Sequence, residues 1–403
     1  MRCTKIKIHD FRNICSAEVC FTDHINVFVG DNAQGKTNLL EALFFGTLGK
    51  SFREKKKDIN LIRFEQNDFQ IELEYKADRE NARLQKIEIV LSKENKKVIR
   101  QNGVLIKRIS ELVGDFRSVL FCPDHLAMIK EGPSERRDFL DVAISQLYPN
   151  YLVALQKFER TLKQRNKLIK DIKEKPEEGI RNDTLDIWSD QLAEWCSVIA
   201  WHRWAYIQKI NKVVNSIFND MTSGKENTEI IYSPACAKKE IEVLISDLIQ
   251  EKKEISTDMD SEFRSGFQEV VRKVYQKQLH ENKEREIAAG MTLYGVHRDD
   301  MSVYLNQKEA REYASQGQQR SLVLAIKLAE GEISKQTTGE YPLFLFDDVL
   351  SELDDKRRRY LLNQIKDKQV IMTTCELGDY VLSDAKVWEV KNGEYMEKTC
   401  SYT

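Results

Sequence analysis

The segment Gly30-Asp31-Asn32-Ala33-Gln34-Gly35-Lys36-Thr37 constrains this chain more than any other. It fits G-x-x-x-x-G-K-S/T at every fixed position, a pattern whose glycines let successive backbone N–H groups face phosphate oxygens. Ahead of it, Ile25-Asn26-Val27-Phe28-Val29 reads as an apolar strand; behind it, Leu39, Leu40, Leu43 and Phe44 recur at helical spacing. Strand, glycine loop and helix put a helix N-terminus behind the phosphates, where its dipole favours negative charge. Lys36 would reach the β- and γ-phosphates, and the Thr37 hydroxyl would ligate Mg²⁺. The expected ligand is ATP with Mg²⁺, and the expected fold class is α/β.

Three later segments extend this reading. Leu343-Phe344-Leu345-Phe346-Asp347-Asp348 is an apolar strand ending in two carboxylates. They are either ordinary acids opening a turn or, with the phosphate loop present, a Mg²⁺-holding Asp347 and an Asp348 facing the attacking water as base. Ala314-Ser315-Gln316-Gly317-Gln318-Gln319-Arg320 precedes an apolar helix with Leu322, Leu324, Ile326 and Leu328. A serine there is a plain helix start, but the segment also lies where ABC-type ATPases carry the signature that meets the γ-phosphate of an opposite subunit. Ser351-Glu352-Leu353-Asp354 and the strand Val370-Ile371-Met372-Thr373-Thr374 follow, with Thr374 expected as a polar tip beside the γ-phosphate. The order of these pieces is more specific than any one of them.

Along the rest of the chain the hydrophobic period changes twice. Ile6, Ile8 and Phe11 alternate with Lys5, Lys7 and Asp10, and Phe69, Ile71, Leu73 and Tyr75 alternate with Gln70, Glu72 and Glu74. Ile87, Ile89 and Leu91 repeat the pattern, and Asn102-Gly103 between short apolar stretches is a hairpin signal. Residues 65 to 122 therefore read as a mainly antiparallel sheet. After Pro123 helical periodicity takes over, with Leu152, Leu155, Leu162, Ile169 and Ile172 on one stripe. A second run from Trp188 to Ile217 would span roughly 45 Å as one helix. A turn is expected at Pro176-Glu177-Glu178-Gly179, and strand character returns at Met291-Thr292-Leu293-Tyr294. The division that follows is a split head, 1–124 with 286–403, and an inserted helical arm over 125–285.

Composition sets the outer limits. With 63 basic and 65 acidic side chains the net charge is −2, so any nucleic-acid site must be a local basic patch. Eight cysteines without a C-x-x-C pair suit reduced thiols in a cytoplasmic protein. No apolar run reaches the ~18 residues of a membrane helix, and the alternating N-terminus is unlike a signal peptide. Lys157 to Lys175 is the densest basic stretch. Lys163, Arg165, Lys167 and Lys170 are candidate phosphate contacts, with Arg136 and Arg137 a second small cluster. A solvated helix face is the competing reading for each. His297-Arg298-Asp299 resembles a kinase loop, but Tyr304 stands where its asparagine should be and no Asp-Phe-Gly occurs. The tryptophans at 188, 195, 201 and 204 suit packing within the helical arm better than base stacking.

Assembled, these residues resemble the RecF family of bacterial recombination mediators, relatives of the SMC proteins and ABC-type ATPases. The likeness covers nearly the whole chain. It rests on Asp10-Phe11-Arg12-Asn13, Asn32 to Ala42, Ser51-Phe52-Arg53, Pro133 to Asp141, His297-Arg298-Asp299-Asp300 and Ser315 to Arg320. The resemblance implies an ABC/SMC-like ATPase head with an antiparallel β lobe, and an ATP-dependent homodimer binding gapped DNA or single-strand/double-strand junctions. It also implies work with RecR and RecO to help RecA onto DNA. By position, Gly30 to Thr37, Arg12, Asn13, Asp347, Asp348 and Thr374 would serve one subunit's nucleotide, while Ser315, Gly317 and Gln318 close over the other's. Lys36 and Asp348 would be the catalytic pair. Arg53 either approaches the phosphates or is a structural arginine.

Asp348 stands where ABC proteins carry glutamate, and Thr374 where transporters carry histidine, so slow hydrolysis is expected, with ATP binding as the switch. A transporter's nucleotide-binding subunit is the alternative, opposed by the long insertion between Thr37 and Ser315.

Overall fold

A computed structural model describes residues 1–54, 57–77, 82–94, 97–175, 182–236, 243, 246, 261–377 and 385–398. The turn expected at 176–179 lies outside them. The chain divides into two compact units. The first comprises Met1–Ala127, Ser216–Glu226 and Ala314–Thr403; the second comprises Met128–Asn215 and Asn227–Tyr313.

Two sheets build the first unit. One is antiparallel, in the order β2-β1-β4-β5-β6-β7, from β1 (Arg2–Phe11), β2 (Ile14–Cys20), β4 (Asp68–Lys76), β5 (Gln85–Ser92), β6 (Val98–Gln101) and β7 (Val104–Leu105). Its alternating residues all point inward: Ile6, Ile8, Phe11, Phe69, Ile71, Leu73, Ile87 and Ile89 are buried. Asn102 and Gly103 both take positive φ between β6 and β7, as a two-residue hairpin turn requires. The other sheet contains β3 (Ile25–Val29), β8 (Ser118–Phe121), β12 (Leu343–Asp347), β13 (Val370–Thr374), β14 (Lys386–Lys391) and β15 (Glu394–Lys398). Its order is β15-β14-β3-β13-β12-β8, with every pairing parallel except β14 with β15. β8 thus departs from the antiparallel reading of 65–122. Its four residues are buried without alternation, the mark of a strand covered on both faces.

Between the sheets runs α1 (Lys36–Leu48), in contact with β1 and β4 on one side and β8, β12 and β13 on the other. Eleven of its residues are buried, which is why the helix is apolar all round rather than amphipathic. Gly46 permits this approach, since a β-carbon there would lie 1.9 Å from Leu73 Cδ1.

The second unit is mostly helical: α2 (Pro133–Leu147), α3 (Pro149–Glu174), α4 (Asn182–Thr222, through Asn215), α5 (Ser261–Glu281) and α6 (Lys283–Ala289). The tryptophan-rich run is one helix of 41 residues, and Trp201 and Trp204 pack on Phe263 and Phe267 of α5. The unit also holds a three-stranded sheet, β11-β10-β9, made of β9 (Thr228–Ser233), β10 (Asp300–Leu305) and β11 (Lys308–Glu309), and it extends past residue 285 to Tyr313. No strand forms at Met291–Tyr294. The amide of Thr292 donates to Asn166 Oδ1 (2.7 Å), and those of Leu293 and Tyr294 to Glu286 Oε1 (2.7 and 3.3 Å). Side chains satisfy the backbone there, so no neighbouring strand is needed.

Candidate functional site

β3 delivers the chain into the loop at Gly30, and α1 begins at Lys36. Gly35 sits at φ 111°, where a side chain would be strained, and a β-carbon on it would lie 2.9 Å from Asn13 Oδ1. Asp31 to Asn38, Arg53, Asp347, Asp348 and Cys375 line one cleft of about 310 Å³. Lys36, itself buried, points its Nζ to the Gly30 and Asp31 carbonyls and lies 3.6 Å from Cys375 Sγ. The Thr37 hydroxyl donates to Asp347 (2.8 Å to Oδ1), and Thr373 Oγ1 donates to the same oxygen (2.7 Å). Phosphate loop and carboxylate strand, far apart in sequence, meet through that pair.

Asp348 follows in a left-handed conformation, φ 52°, opening a short 3₁₀ turn over Val349–Glu352. Its Oδ1 is buried with no hydrogen-bond partner. Burial pushes its carboxyl above the ordinary carboxylate range, against the pull of Ser351 and Lys36 and with some help from Asp347. A neighbouring carboxylate behaves oppositely. Glu41 is fully buried on α1, and burial alone would raise it; Arg12, Arg53 and Ser51 outweigh that and hold it below the usual range.

The residues expected at the nucleotide separate into three groups. Asp31 to Thr37, Asp347 and Asp348 line the one cleft, with the Gly30 carbonyl accepting from Lys36 Nζ beside it. Arg12 and Asn13 stand one layer out: Arg12 grips Glu41 through Nε and one terminal nitrogen (3.0 and 2.8 Å), and Asn13 Oδ1 accepts from Asn38 Nδ2 (2.6 Å). Thr374 is not in the cleft. It is buried, and its hydroxyl donates to the Glu376 carbonyl (2.9 Å). Successive strand residues face opposite ways, so Thr373 and Cys375 share the cleft side and Thr374 takes the other.

Ser315, Gly317 and Gln318 do not line the cleft of their own chain. They cap α7 (Gln316–Thr338): Ser315 Oγ accepts from the Gln318 amide (3.3 Å), Gln318 Oε1 accepts from the Ser315 amide (2.8 Å), and Gln318 Nε2 reaches Glu226 (2.5 Å).

The basic candidates divide sharply. Arg136 is buried and doubly bonded to Asp300 (2.6 and 2.8 Å); Arg165 is fully buried among Ser189, Thr292 and Glu286. Half-buried Arg137 donates to the Asp299 carbonyl (2.7 Å). Arg136 and Arg165 spend their donors inside the second unit, whereas Arg137 spends one terminal nitrogen there. Lys163, Lys167 and Lys170 remain exposed.

One element of the site went unread in the sequence: the β14–β15 hairpin. Its Asn392-Gly393 turn donates both amides to Gln34, to Oε1 (2.7 Å) and to the carbonyl (2.8 Å), while the Tyr395 hydroxyl donates to Gly35 O (3.0 Å). The Asn-Gly dipeptide there is the same signal that marked residues 102–103.

The RecF/RecN/SMC N-terminal domain family matches residues 2–393. A DNA replication and repair protein RecF of Clostridium beijerinckii is 36% identical over 396 residues, 98% of each chain. Another from Clostridium novyi is 36% identical over 391 residues, 96% of this chain and 98% of its own. The solved structure of a recombination mediator RecF with ATP, from the RecFOR pathway, superposes with a TM-score of 0.85 at 32% identity, covering 98% of this chain and 97% of that one. An SMC head bound to the C-terminal winged-helix domain of ScpA shares the fold at 15% identity, with a TM-score of 0.52 over 99% of this chain and 97% of that one. The chain belongs to the RecF family, within the wider RecF/RecN/SMC group.

Proposed function

We propose that this protein is an ATP-dependent, DNA-binding recombination mediator. It dimerises on ATP, engages gapped DNA or single-strand/double-strand junctions, and assists loading of RecA together with RecO and RecR. Full-length likeness to RecF proteins of DNA replication and repair supports this over a transporter subunit. So does the ATP complex of a solved RecF relative.

The observation that carries the reading is the make-up of the cleft. It has a phosphate loop, a threonine hydroxyl and two carboxylates, yet no residue of the Ser315–Gln318 segment. An exposed, capped helix start on one copy is suited to close the cleft of another. The residues also fit a nucleotide and Mg²⁺. Asp348 Oδ1 is buried without a partner, and Gly35 leaves room that a β-carbon would fill. Thr37 and Asp347 are hard oxygen donors. Among the described residues no cluster of three or more His, Cys, Asp or Glu forms a protein-only metal cage. Few protein ligands suit Mg²⁺, which takes its remaining oxygens from phosphate and water. Bound Mg²⁺ would neutralise charge on the phosphates. Lys36 would hold the outer phosphates, and Asp348 would orient water slowly, as a reset.

Sedimentation with ATP tests the switch. Wild type should become a dimer, more so with gapped DNA, and Lys36→Arg should stay monomeric. A wild type that remains monomeric with both ligands would sink the clamp.

A further inference from the structure

Glu41, fully buried in the middle of α1, has both carboxylate oxygens fully engaged. Each of its oxygens accepts twice. Oε1 takes Arg12 (2.8 Å) and Ser51 Oγ; Oε2 takes Arg12 Nε (3.0 Å) and a terminal nitrogen of Arg53. One negative charge is thus shared by two guanidinium groups, so the three side chains together carry a net positive charge. Arg12 is anchored away from the cleft, its own amide donating to the Leu61 carbonyl (2.7 Å). Arg53 is different. It lines the cleft, it is about a third exposed, and the same terminal nitrogen that meets Glu41 also meets Asn38 Oδ1. Its guanidinium carbon lies 5.8 Å from the centroid of the Phe52 ring, and its Nε and other terminal nitrogen have no hydrogen-bond partner among the described residues. Ser51 completes the arrangement: its Oγ accepts the amides of Arg53 (3.0 Å) and Glu54 (2.9 Å) while donating to Glu41. Backbone and side chain of Arg53 are both tied to one buried carboxylate.

We propose that Glu41 is a positioning residue for the nucleotide site, fixing Arg53 so that its unused donors face the phosphates. This rests on the reading of the cleft as an ATP site. A triphosphate carries more negative charge than a diphosphate, so a fixed guanidinium favours it more. An amide at position 41 would turn an N–H₂ toward guanidinium donors and release Arg53, whereas aspartate keeps the charge.

The test is binding of ATP and of ADP, each with Mg²⁺, to the full chain by calorimetry. The quantity read is the ratio of the two dissociation constants. Arg53→Ala and Glu41→Gln should each cut the preference for ATP at least about fivefold, Glu41→Asp should keep it within about threefold, and the double variant Glu41→Gln/Arg53→Ala should fall no further than Arg53→Ala alone. A purely structural Glu41 would weaken ATP and ADP by the same factor and leave the ratio unmoved, which overturns the proposal. Independent, multiplying effects in the double variant overturn it too. Should Glu41→Gln not fold, Ser51→Ala frees the Arg53 backbone with every charge in place; it should lower the ratio about twofold, and an unchanged ratio counts against the idea. A wild type that binds neither nucleotide overturns the ATP reading itself, an outcome distinct from all of these.

Discussion

The phosphate cleft of the first unit and the buried charge cluster of the second are both built from segments that carry the family resemblance, yet they use their charged side chains differently, although His297 Nδ1 beside that cluster is also buried without a hydrogen-bond partner. In the second unit Arg203 spends Nε on the Tyr151 hydroxyl (3.1 Å), and its two terminal nitrogens on the Val296 carbonyl (2.7 Å) and Asp141 (2.8 Å). Asp299, fully buried, accepts from Tyr232, from Tyr275 (3.1 Å) and from the Ala235 amide (2.9 Å). Pro133 to Asp141 and His297 to Asp300 are therefore partners of each other, directly through Arg136 with Asp300 and Arg137 with the Asp299 carbonyl, and by way of Arg203, which lies between Asp141 and Asp299. In the cleft, Asp348 keeps an oxygen without a partner. The unspent oxygen of Asp348 marks a place for a ligand, whereas the matched donors and acceptors of Arg203 and Asp299 serve the architecture.

The sharpest way to break this contrast is Arg165→Ala. Arg165 and Glu286 are both fully buried and 2.6 Å apart. Removing the cation strands the carboxylate, at a cost of about 3–5 kcal/mol. Denaturant unfolding should show it as a lower midpoint, and adding Glu286→Gln should recover part of the loss, because it removes the stranded charge and keeps an acceptor for the Leu293 and Tyr294 amides. Were Arg165 a DNA contact instead, stability would hold and the salt dependence of DNA binding would lose about one unit of slope.

Asp348→Asn probes the other side. ATP hydrolysis should fall about 100-fold, the ordinary contribution of a positioned base, while ATP-driven dimerisation persists. Because burial raises the Asp348 carboxyl, wild-type hydrolysis should climb as pH rises through that raised value. The sign for stability is the reverse. A raised folded value means the group favours folding below the ordinary carboxylate range and loses that contribution as pH rises through the folded value. The nucleotide-free Asn variant should thus melt slightly higher than wild type at neutral pH, with the difference vanishing in acid. Equal melting at both pH values would show the orphaned oxygen to be hydrated.

What could be read from the sequence follows the same physical line. Local patterns spoke clearly: alternation in β1, β4 and β5 became buried faces, and the glycine loop became a cleft. Long-range satisfaction did not. Nothing near Arg165 in the chain announces Glu286, Ser189 or Thr292, so a buried arginine looked like one more charge in a basic helix. Met291–Tyr294 has strand composition, but Glu286 and Asn166 take its amides. Thr374 missed the cleft by a single step, enough to turn a strand side chain to the opposite face. Lys36, Thr37 and Asp347 were legible because phosphate chemistry fixes residue type and spacing together. Arg53 was left open because its role depends on Glu41, a partner that only packing reveals.

The smallest effect belongs to the exposed lysines. Lys163, Lys167 and Lys170 follow one another at four and three residues on α3, so they share a face, and they make no ion pair among the described residues. Lys157, by contrast, covers the Trp195 ring at 4.5 Å and is a poor control for free charge. Changing the three to glutamine should leave the unfolding free energy within about 0.5 kcal/mol, the usual range for surface positions. If this face meets DNA phosphates, the slope of log affinity against log salt should flatten by about 0.9 for each lysine engaged. Affinity for gapped DNA at moderate salt should then drop several-fold, and the loss should fade as salt rises. A triple variant with an unaltered slope would place the DNA-binding charge elsewhere on the molecule, and α3 would then be a solvated face whose inner arginine alone matters.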